Sequence, residues 1–183
     1  MISLKGCEES KPAWEQLNKI TERLSKKDAT IWGESASAEA SIRLGWVDLP
    51  ETSRDLLPTL DSLSAWSREL GHTHFILCGM GGSSLAPEVI AATYKKSLTV
   101  LDSTDPTQIE MVAEIDLRNT CIIISSKSGS TVETASQKSF FVKKLMDMGL
   151  DPKNHFVVVT DPGSPLEVES RGEGLKVIAA DPN

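Results

Sequence analysis

The sequence contains few cysteines, histidines and aromatic residues. Cysteine and histidine each occur three times in 183 residues, and aromatic residues make up 5%. The cysteines form no CxxC pair, and the histidines lack the i,i+4 spacing of a helical zinc site. This scarcity argues against a disulfide-stapled fold and against a metal site. Because thiols behave as small apolar groups, we predict that all three cysteines are buried in the core: Cys7, Cys78 and Cys121.

Long apolar runs and a secretory signal are also absent. The longest uninterrupted apolar stretches have four residues, as at 121–124 and 156–159, whereas a membrane-spanning helix needs about 20. Residues 1–9 include three charged side chains and lack the apolar segment and cleavage site of a signal peptide. The sequence therefore predicts a cytoplasmic protein without a transmembrane helix.

Basic residues are fewer than acidic residues. The chain has 19 Lys and Arg against 26 Asp and Glu, for a formal net charge of −7, and such a chain repels polyanions. We therefore expect neither nucleic acid nor a membrane surface as a partner. The 39% of apolar residues and the length are typical of one globular domain, which excludes disorder or coiled coil for the whole chain.

The apolar pattern divides the chain into two predicted parts. Residues 1–72 show helical periodicity, including an apolar stripe over 53–70 that Gly71 ends, and form a predicted amino-terminal helical arm. Over residues 73–183, short apolar runs alternate with helical segments, which is typical of βαβ units. Strands apolar on both faces predict an α/β fold with a doubly wound, five-stranded parallel sheet. The predicted strands are 74–78, 98–102, 120–125, 155–160 and 176–180.

Caps and glycines mark the predicted helix ends in the second part. Asp105 and Ser164 each precede a proline and are followed three residues later by Gln or Glu, which is the pattern of a capping box. Gly149 and Gly172 are predicted to end two of the helices. The caps therefore predict where the loops before these two helices end.

Ligands of a doubly wound sheet bind beyond the carboxyl ends of the strands, where the strand order reverses. The loop after the first strand, 79–84, reads GMGGSS and leads into a helix predicted to begin near Leu85. Its glycines either bring N–H groups close to an anion or only permit tight packing. A dinucleotide fingerprint needs Gly or Ala in place of Ser84, although Asp102 lies about where a ribose-binding acid would stand.

The loop after the third strand, 125–134, reads SSKSGSTVET. A helix cap uses one hydroxyl, and the excess of hydroxyls beside the helix dipole, itself worth about 0.3–1 kcal/mol for an anion, predicts phosphate binding. Lys127 either neutralises the anion or is solvated, and Glu133 suits the helix dipole better than it suits a catalytic base. Four hydroxyl side chains lie at the predicted start of the helix: Ser126, Ser128, Ser130 and Thr131.

Together these loops resemble the glucose-6-phosphate isomerase family, which belongs to the sugar isomerase (SIS) domain superfamily. The resemblance rests on GMGGS at 79–83 and on SKSGSTVET at 126–134, of which the second is the more specific. The Ser-Gly-Ser variant and the TDPGS turn at 160–164 are similar to the bacterial branch that includes isomerases fused to transaldolase. The resemblance covers about residue 30 to the end and implies a SIS-type sheet.

The resemblance also implies a function. Family members interconvert glucose 6-phosphate and fructose 6-phosphate in glycolysis and gluconeogenesis, without metal or organic cofactor, and form homodimers. The Glu, Arg, His and Lys that carry out proton transfer and ring opening lie beyond the segment that corresponds to this chain. We therefore expect no catalytic residue here, and the first of two SIS domains. The implied hexose 6-phosphate site consists of Gly82, Ser83, Ser126, Lys127, Ser128, Gly129, Ser130 and Thr131.

Two functions of other classes stay open from the sequence. A stand-alone SIS module could sense a sugar phosphate and regulate a partner. A Rossmann-like domain could bind a nucleotide, as the glycines at 79–83 and the acid at Asp102 would allow. Binding of a sugar phosphate in preference to NAD would separate the nucleotide-binding hypothesis from the other two.

Overall fold

The computed structural model describes residues 12–180. These residues divide into two compact units, with the division between Asp55 and Leu56. The boundary placed between 72 and 73 from the sequence stays a prediction about domain organisation. Cys7, one of the three thiols predicted to be buried, lies outside the described residues. Among the described residues no helix is long and apolar enough to cross a membrane.

The amino-terminal unit is helical, as predicted. Near the end of its first helix, the Arg23 guanidinium donates to Asp28 across 2.6 Å, and the Asp28 carboxylate also accepts from the Thr30 N–H. The hydrogen bonds from Arg23 and Thr30 hold the pKa of Asp28 well below its usual range. The α-helices are α1 (Pro12–Ser25), α2 (Ser37–Arg43) and α3 (Leu49–Thr52), with 3-10 helices at Ala29–Trp32, Glu34–Ala36 and Leu44–Asp48. A further 3-10 helix, Ser53–Leu56, includes the boundary between the two units.

The second unit is an α/β fold. Each of the five predicted strands is present, and its ends agree with the prediction to within one residue. The strands are β1 (His74–Gly79), β2 (Thr99–Leu101), β3 (Thr120–Ser126), β4 (Phe156–Thr160) and β5 (Lys176–Ala179). The helices are α4 (Leu57–Glu69), α5 (Gly82–Thr93), α6 (Pro106–Ala113), α7 (Val132–Asp147) and α8 (Pro165–Gly172), with 3-10 turns at Leu117–Asn119 and Pro152–Asn154.

The five strands form one parallel sheet in the order β2-β1-β3-β4-β5. After β1 the chain moves to one side to form β2 and then returns across β1 to form β3. The strand order therefore reverses between β1 and β3, and in sheets of this type the crevice at the reversal is where ligands bind. The predicted α/β class with a five-stranded parallel sheet is confirmed.

Helices cover the two faces of the sheet unequally. Alternate residues of a strand point to opposite faces, and β3 shows this directly. Ile122 and Ile124 belong to the larger core cluster, which includes residues of α6, α7 and α8. Cys121 and Ile123 belong to a smaller cluster that includes residues of α4. The loops that follow β1 and β3 therefore start from strands that are apolar on both faces.

Two of the predicted core thiols are buried. Cys78 and Cys121 are free and buried, and burial raises the pKa of each thiol to about 12. At that pKa almost no thiolate forms near neutral pH, so neither residue is suited to nucleophilic chemistry. Their role is packing, as predicted.

The predicted helix caps are present. Asp105 accepts from the N–H groups of Thr107 and Gln108, at 2.9 and 3.1 Å. Ser164 Oγ accepts from the Glu167 N–H at 3.1 Å. Both helices thus begin at the residue that the sequence indicates, which fixes the lengths of the loops before them.

Both predicted helix stops lie at or next to the observed helix ends, but only one of the two glycines reverses the chain. Gly149 follows α7 with a φ of 72°, as a terminating glycine should. Gly172, in contrast, is the last residue of α8, and the left-handed residue after that helix is Gly174, with a φ of 76°. Two glycines near one helix end are ambiguous in the sequence, because only the backbone conformation shows which of them reverses the chain.

A histidine cluster joins α4 to the sheet. His72 is buried, and its Nδ1 lies 3.2 Å from Ser67 Oγ. Its ring centroid lies 5.3 Å from that of Trp66 and 5.5 Å from that of His155. Burial, together with the nearby His155, lowers the pKa of His72 from its ordinary value of 6.5, although the main chain of Asn154 partly opposes the shift.

We expect the free energy of unfolding to decrease as the pH falls from about 7 to about 5. Unfolded His72 takes up a proton near pH 6.5, whereas the folded state takes it up only at lower pH, so protons favour unfolding across this range. The drop in melting temperature between the two pH values should be smaller in His72→Phe, whose ring does not titrate. A His74→Phe control, at an exposed position, should keep the wild-type drop. An unchanged drop in His72→Phe would contradict the assignment.

Candidate functional site

The predicted site residues lie in two loops at the carboxyl ends of β1 and β3. Gly79, the last residue of β1, is in register with Ser125 near the end of β3. A Cβ atom on Gly79 would lie 3.0 Å from the Ser125 carbonyl oxygen and 3.1 Å from that of Ser83. Residues 79–83 and 126–131, called here the switch-point loops, are therefore neighbours, on the two sides of the point where the strand order reverses.

The first switch-point loop is shorter than predicted. Helix α5 begins at Gly82, not near Leu85, because the chain reverses at Gly81, whose φ of 56° and ψ of −121° suit only glycine. The Ser83 N–H is already used, since it donates to the Met80 carbonyl at 3.1 Å. The Ser83 hydroxyl is half-buried and has no hydrogen-bond partner within residues 12–180. Gly82 and Ser83 thus occupy the first turn of α5, with a free hydroxyl at Ser83.

The position after Ser83 distinguishes this loop from a dinucleotide fingerprint. That fingerprint uses a small residue, Gly or Ala, so that the helix packs closely on the strand. Here the position is Ser84, which is fully buried and whose Oγ donates to the Gly81 carbonyl at 3.0 Å. Asp102, the predicted ribose-binding acid, is exposed just after β2. The loop is therefore built around an internal hydroxyl bond that the fingerprint lacks.

Hydrogen bonds from Ser126 organise the second switch-point loop. Ser126 is the last residue of β3 and is buried. Its Oγ accepts from the Gly129 N–H at 3.2 Å and lies 3.0 Å from Thr131 Oγ1. One side chain thus closes the loop from the end of the strand to the start of α7. Because this hydroxyl is internal, its main effect is on the shape of the loop.

The remaining hydroxyls of this loop are at the surface. Ser128 Oγ accepts from the Ser130 N–H at 3.3 Å and lies 3.0 Å from Ser130 Oγ. Both serines and the neighbouring Lys127 are exposed. Thr131 holds the cap position of α7, but its side chain makes no capping hydrogen bond. Helix capping therefore does not account for the hydroxyls, and the first N–H groups of α7 keep their capacity to bind an anion.

The turn after β4, residues 160–164, makes hydrogen bonds to the main chain of the second loop. The Lys127 carbonyl accepts from the Asp161 N–H at 3.2 Å and from Thr160 Oγ1 at 3.4 Å. Thr160 Oγ1 also lies 2.8 Å from Ser164 Oγ. The Gly163 N–H donates to Glu167, and this bond, followed by one from Arg171, lowers the pKa of Glu167. The turn is thereby fixed to α8 and holds the backbone of the loop at Lys127.

Close packing limits the residue at position 129. Gly129 has a φ of 66°, and a Cβ atom there would lie 2.8 Å from Ser164 Oγ and 3.0 Å from Leu166 Cβ. A Cβ atom does not fit at 2.8 Å without displacing its neighbours. Glycine is therefore required at this position for two reasons: the backbone conformation and the close contact with the turn after β4.

Two supporting features escaped the sequence analysis. The contact of the turn at 160–164 with Lys127 joins residues more than 30 positions apart, and no local pattern indicates it. Gln137 is fully buried on α7 and donates to the main chain of Leu101, the last residue of β2, and of Ser103 just after it. A polar residue within the apolar stripe of a helix was the only available signal.

The chemistry of the two loops favours an oxyanion. They supply hydroxyls and helix N-terminal N–H groups, with one cation, Lys127, and no carboxylate. Such donors bind phosphate groups well, because the N–H groups and the helix dipole both favour negative charge. Residues 12–180 contain no group of three His, Cys, Asp or Glu side chains able to hold a metal ion.

The fold defines a doubly wound α/β protein, and the loops at the reversal of strand order are rich in glycines and hydroxyls. A model of the phosphoglucose isomerase family matches residues 53–169, more than half of the chain. The chain therefore belongs to the phosphoglucose isomerase family. The family resemblance carried by the two switch-point loops is confirmed.

Curated relatives are longer than this chain. A glucose-6-phosphate isomerase of Thermus thermophilus is 36% identical over 149 residues, which cover 77% of this chain and 35% of that protein. A glucose-6-phosphate isomerase of Chlamydia trachomatis serovar D is 35% identical over 100 residues, or 51% of this chain and 19% of that protein. The chain thus spans about a third or less of the length of these relatives.

Solved structures share the fold. A hypothetical protein from Thermus thermophilus superimposes with a TM-score of 0.71 and 31% identity, over 92% of this chain and 40% of that one. A glucose-6-phosphate isomerase from Chlamydia trachomatis superimposes with a TM-score of 0.62 over 86% of this chain and 30% of that one. At 24% identity the second similarity concerns the fold alone.

Proposed function

We propose that this chain binds the phosphate group of a hexose 6-phosphate and forms the phosphosugar-binding part of a glucose-6-phosphate isomerase. One observation carries the proposal: in a member of the phosphoglucose isomerase family, the hydroxyls of 126–131 meet the uncapped start of α7 beside the reversal of strand order. Such an isomerase interconverts an aldose and a ketose, here glucose 6-phosphate and fructose 6-phosphate.

The eight proposed residues divide by role. The exposed hydroxyls of Ser128 and Ser130 and the free hydroxyl of Ser83 donate to phosphate oxygens. Lys127 adds a positive charge at the rim, and the N–H groups that begin α7 complete the donors. Ser126 and Gly129 shape the loop, and Thr131 links it to α7 through Ser126. Gly82 opens α5 on the opposite side of the crevice.

The chemical step belongs to other parts of the family polypeptide in this proposal. The Glu base, the Arg that stabilises the enediolate and the His and Lys of ring opening lie outside the segment that this chain matches. The complete enzyme acts as a homodimer without metal or organic cofactor. Phosphate binding holds the substrate in place while those residues act on carbon atoms at the other end of the sugar.

The proposal is tested by titration calorimetry at about pH 7.5, where a phosphate ester carries nearly two charges because its second pKa is about 6. Fructose 6-phosphate should bind, and fructose and NAD should not. Ser126→Ala should weaken binding about tenfold, because it removes the part-buried bond from the Gly129 N–H that closes the loop, and a lost hydrogen bond typically costs about 0.5–1.5 kcal/mol. Ser139→Ala, at an exposed position of α7, should leave the affinity unchanged.

Two outcomes would overturn the proposal. The first is the absence of binding by fructose 6-phosphate at millimolar concentrations to wild-type protein that circular dichroism shows to be folded. The second is equal affinity of wild type and Ser126→Ala for the sugar phosphate. Preferential binding of NAD would instead support the nucleotide-binding hypothesis.

A further inference from the structure

We propose that Gln137 is a positioning residue for the phosphate site, because its side chain fixes α7, and with it the phosphate-binding loop, to the turn after β2. The proposal rests on the phosphate binding proposed above. Gln137 does not contact the phosphate. It acts through the helix whose first turn carries the N–H donors.

Both hydrogens of the Gln137 amide are used. Nε2 donates to the Leu101 carbonyl at 3.2 Å and to the Ser103 carbonyl at 2.9 Å, and the side chain is fully buried. Because both partners are carbonyl oxygens, only the NH2 end of the amide can face them. The orientation of the side chain is therefore determined by its partners.

The two carbonyl groups, of Leu101 and Ser103, lie at and beyond the last residue of β2 that pairs with β1. Strand β2 is an edge strand of three residues that pairs with β1 alone, and the register ends at Leu101 opposite Cys78. Buried carbonyl groups need partners, and beyond Leu101 these come from Gln137 instead of from a strand. The side chain thus joins α7 to β2 across the end of β1, the strand that carries the first switch-point loop.

The position of Gln137 along α7 explains how it can affect the loop. It lies about one and a half turns after Val132, the first residue of the helix, at about 3.6 residues per turn. Any rotation of α7 about its axis turns the N–H groups of the first turn by the same angle. The two bonds to residues 101 and 103 prevent this rotation at a point close to the phosphate-binding end.

Another polar anchor of α7, Lys138, bonds to Glu169 and Glu173 at 2.7 Å and ties the helix to α8 instead of to β2. Thr134 is buried about one turn earlier on the same helix, and among the described residues its Oγ1 has no partner. The Oε1 atom of Gln137 likewise has none. Of these two neighbouring side chains, only the Gln137 amide nitrogen therefore joins α7 to the turn after β2.

The test compares Gln137→Met with Gln108→Met. The first replacement keeps the length of the side chain and removes both donors, and the second changes an exposed glutamine of α6. The dissociation constant for fructose 6-phosphate is measured at a temperature at which each variant is fully folded. We expect it to rise about five- to tenfold in Gln137→Met and to stay within about twofold of wild type in Gln108→Met.

A structural role alone would lower the melting temperature of Gln137→Met and leave its dissociation constant unchanged, which would overturn the inference while the proposed function stands. Absence of binding by the wild-type protein would overturn both. In case Gln137→Met does not fold, the wild-type protein gives a second readout by NMR. Adding fructose 6-phosphate should shift the side-chain NH2 signals of Gln137 and not those of Gln108, and unshifted Gln137 signals would overturn the inference.

Discussion

Replacing Gly129 by alanine is expected to destabilise the protein by about 2–5 kcal/mol and to weaken phosphate binding at least about tenfold. The left-handed conformation at this position, with a φ of 66°, costs a residue with a Cβ about 1–2 kcal/mol. Contact of the new methyl group with Ser164 and Leu166 adds overpacking, which typically costs about 1–3 kcal/mol. Both effects act on the loop that would hold the phosphate.

Gly149→Ala is the matched control. Gly149 has a similar φ of 72°, but a Cβ atom there would meet nothing within 4 Å. This variant should therefore lose only the conformational contribution, about 1–2 kcal/mol, and should bind fructose 6-phosphate as the wild type does. Urea unfolding and calorimetry on both variants give the comparison. Equal losses of stability would show that the turn after β4 moves aside freely and does not support the loop.

The strands were predictable because their physical signal is local. Runs such as 121–124 and 156–159 are apolar on both faces, which only a strand covered on both sides can bury, and the structure places them in the centre of the sheet. The caps at Asp105 and Ser164 were predictable for the same reason, since each side chain bonds to N–H groups two or three residues away. The order of the strands, in contrast, depends on pairing between distant segments and has no local signal.

The position of the two candidate loops was predictable, but their internal structure was not. Hydroxyls and glycines after β3 indicated an anion site, yet the sequence does not show which hydroxyls are internal. The buried Ser126 organises the loop, whereas Ser128 and Ser130 face outward. The start of α5 at Gly82 was missed because it depends on the backbone angles of Gly81.

Long-range support accounts for the rest of what the sequence does not reveal. Ser164 was identified as a helix cap, and it is one, but the same residue also contacts the position of Gly129. Gln137 falls within a buried stripe of α7, where a helical pattern leads one to expect apolar residues. Partners that are distant along the chain, as in both of these cases, cannot be inferred from local spacing.

Despite its family, we expect the 183-residue chain alone to convert fructose 6-phosphate to glucose 6-phosphate at least about a thousandfold more slowly than the glucose-6-phosphate isomerase of Thermus thermophilus. Isomerisation of an aldose to a ketose moves a proton between neighbouring carbon atoms, and a positioned acid or base typically contributes about 10²–10⁴ to such a step. A phosphate group is held equally well before and during that step, so its binding does not raise the rate.

The side chains of the two switch-point loops explain why we expect such a low rate of isomerisation. Lys127 is their only titratable group, and it is exposed in the loop proposed to bind phosphate. Glu133, in the first turn of α7, is the nearest carboxylate along the sequence to the second loop. A base that serves the carbon atoms next to the carbonyl must lie at the other end of a six-carbon substrate, away from the group that binds phosphate.

A coupled assay with glucose-6-phosphate dehydrogenase measures the rate, with the Thermus enzyme assayed in parallel at the same temperature. Traces of isomerase from the expression host would give a false signal, so Ser126→Ala is purified and assayed in the same way. At a concentration of fructose 6-phosphate well below saturation, activity that is equal in the wild type and in this variant comes from the host, because Ser126→Ala lowers the affinity of this chain alone. Activity that approaches the rate of the Thermus enzyme and falls in Ser126→Ala would belong to the chain, and it would mean that the chain itself supplies the base.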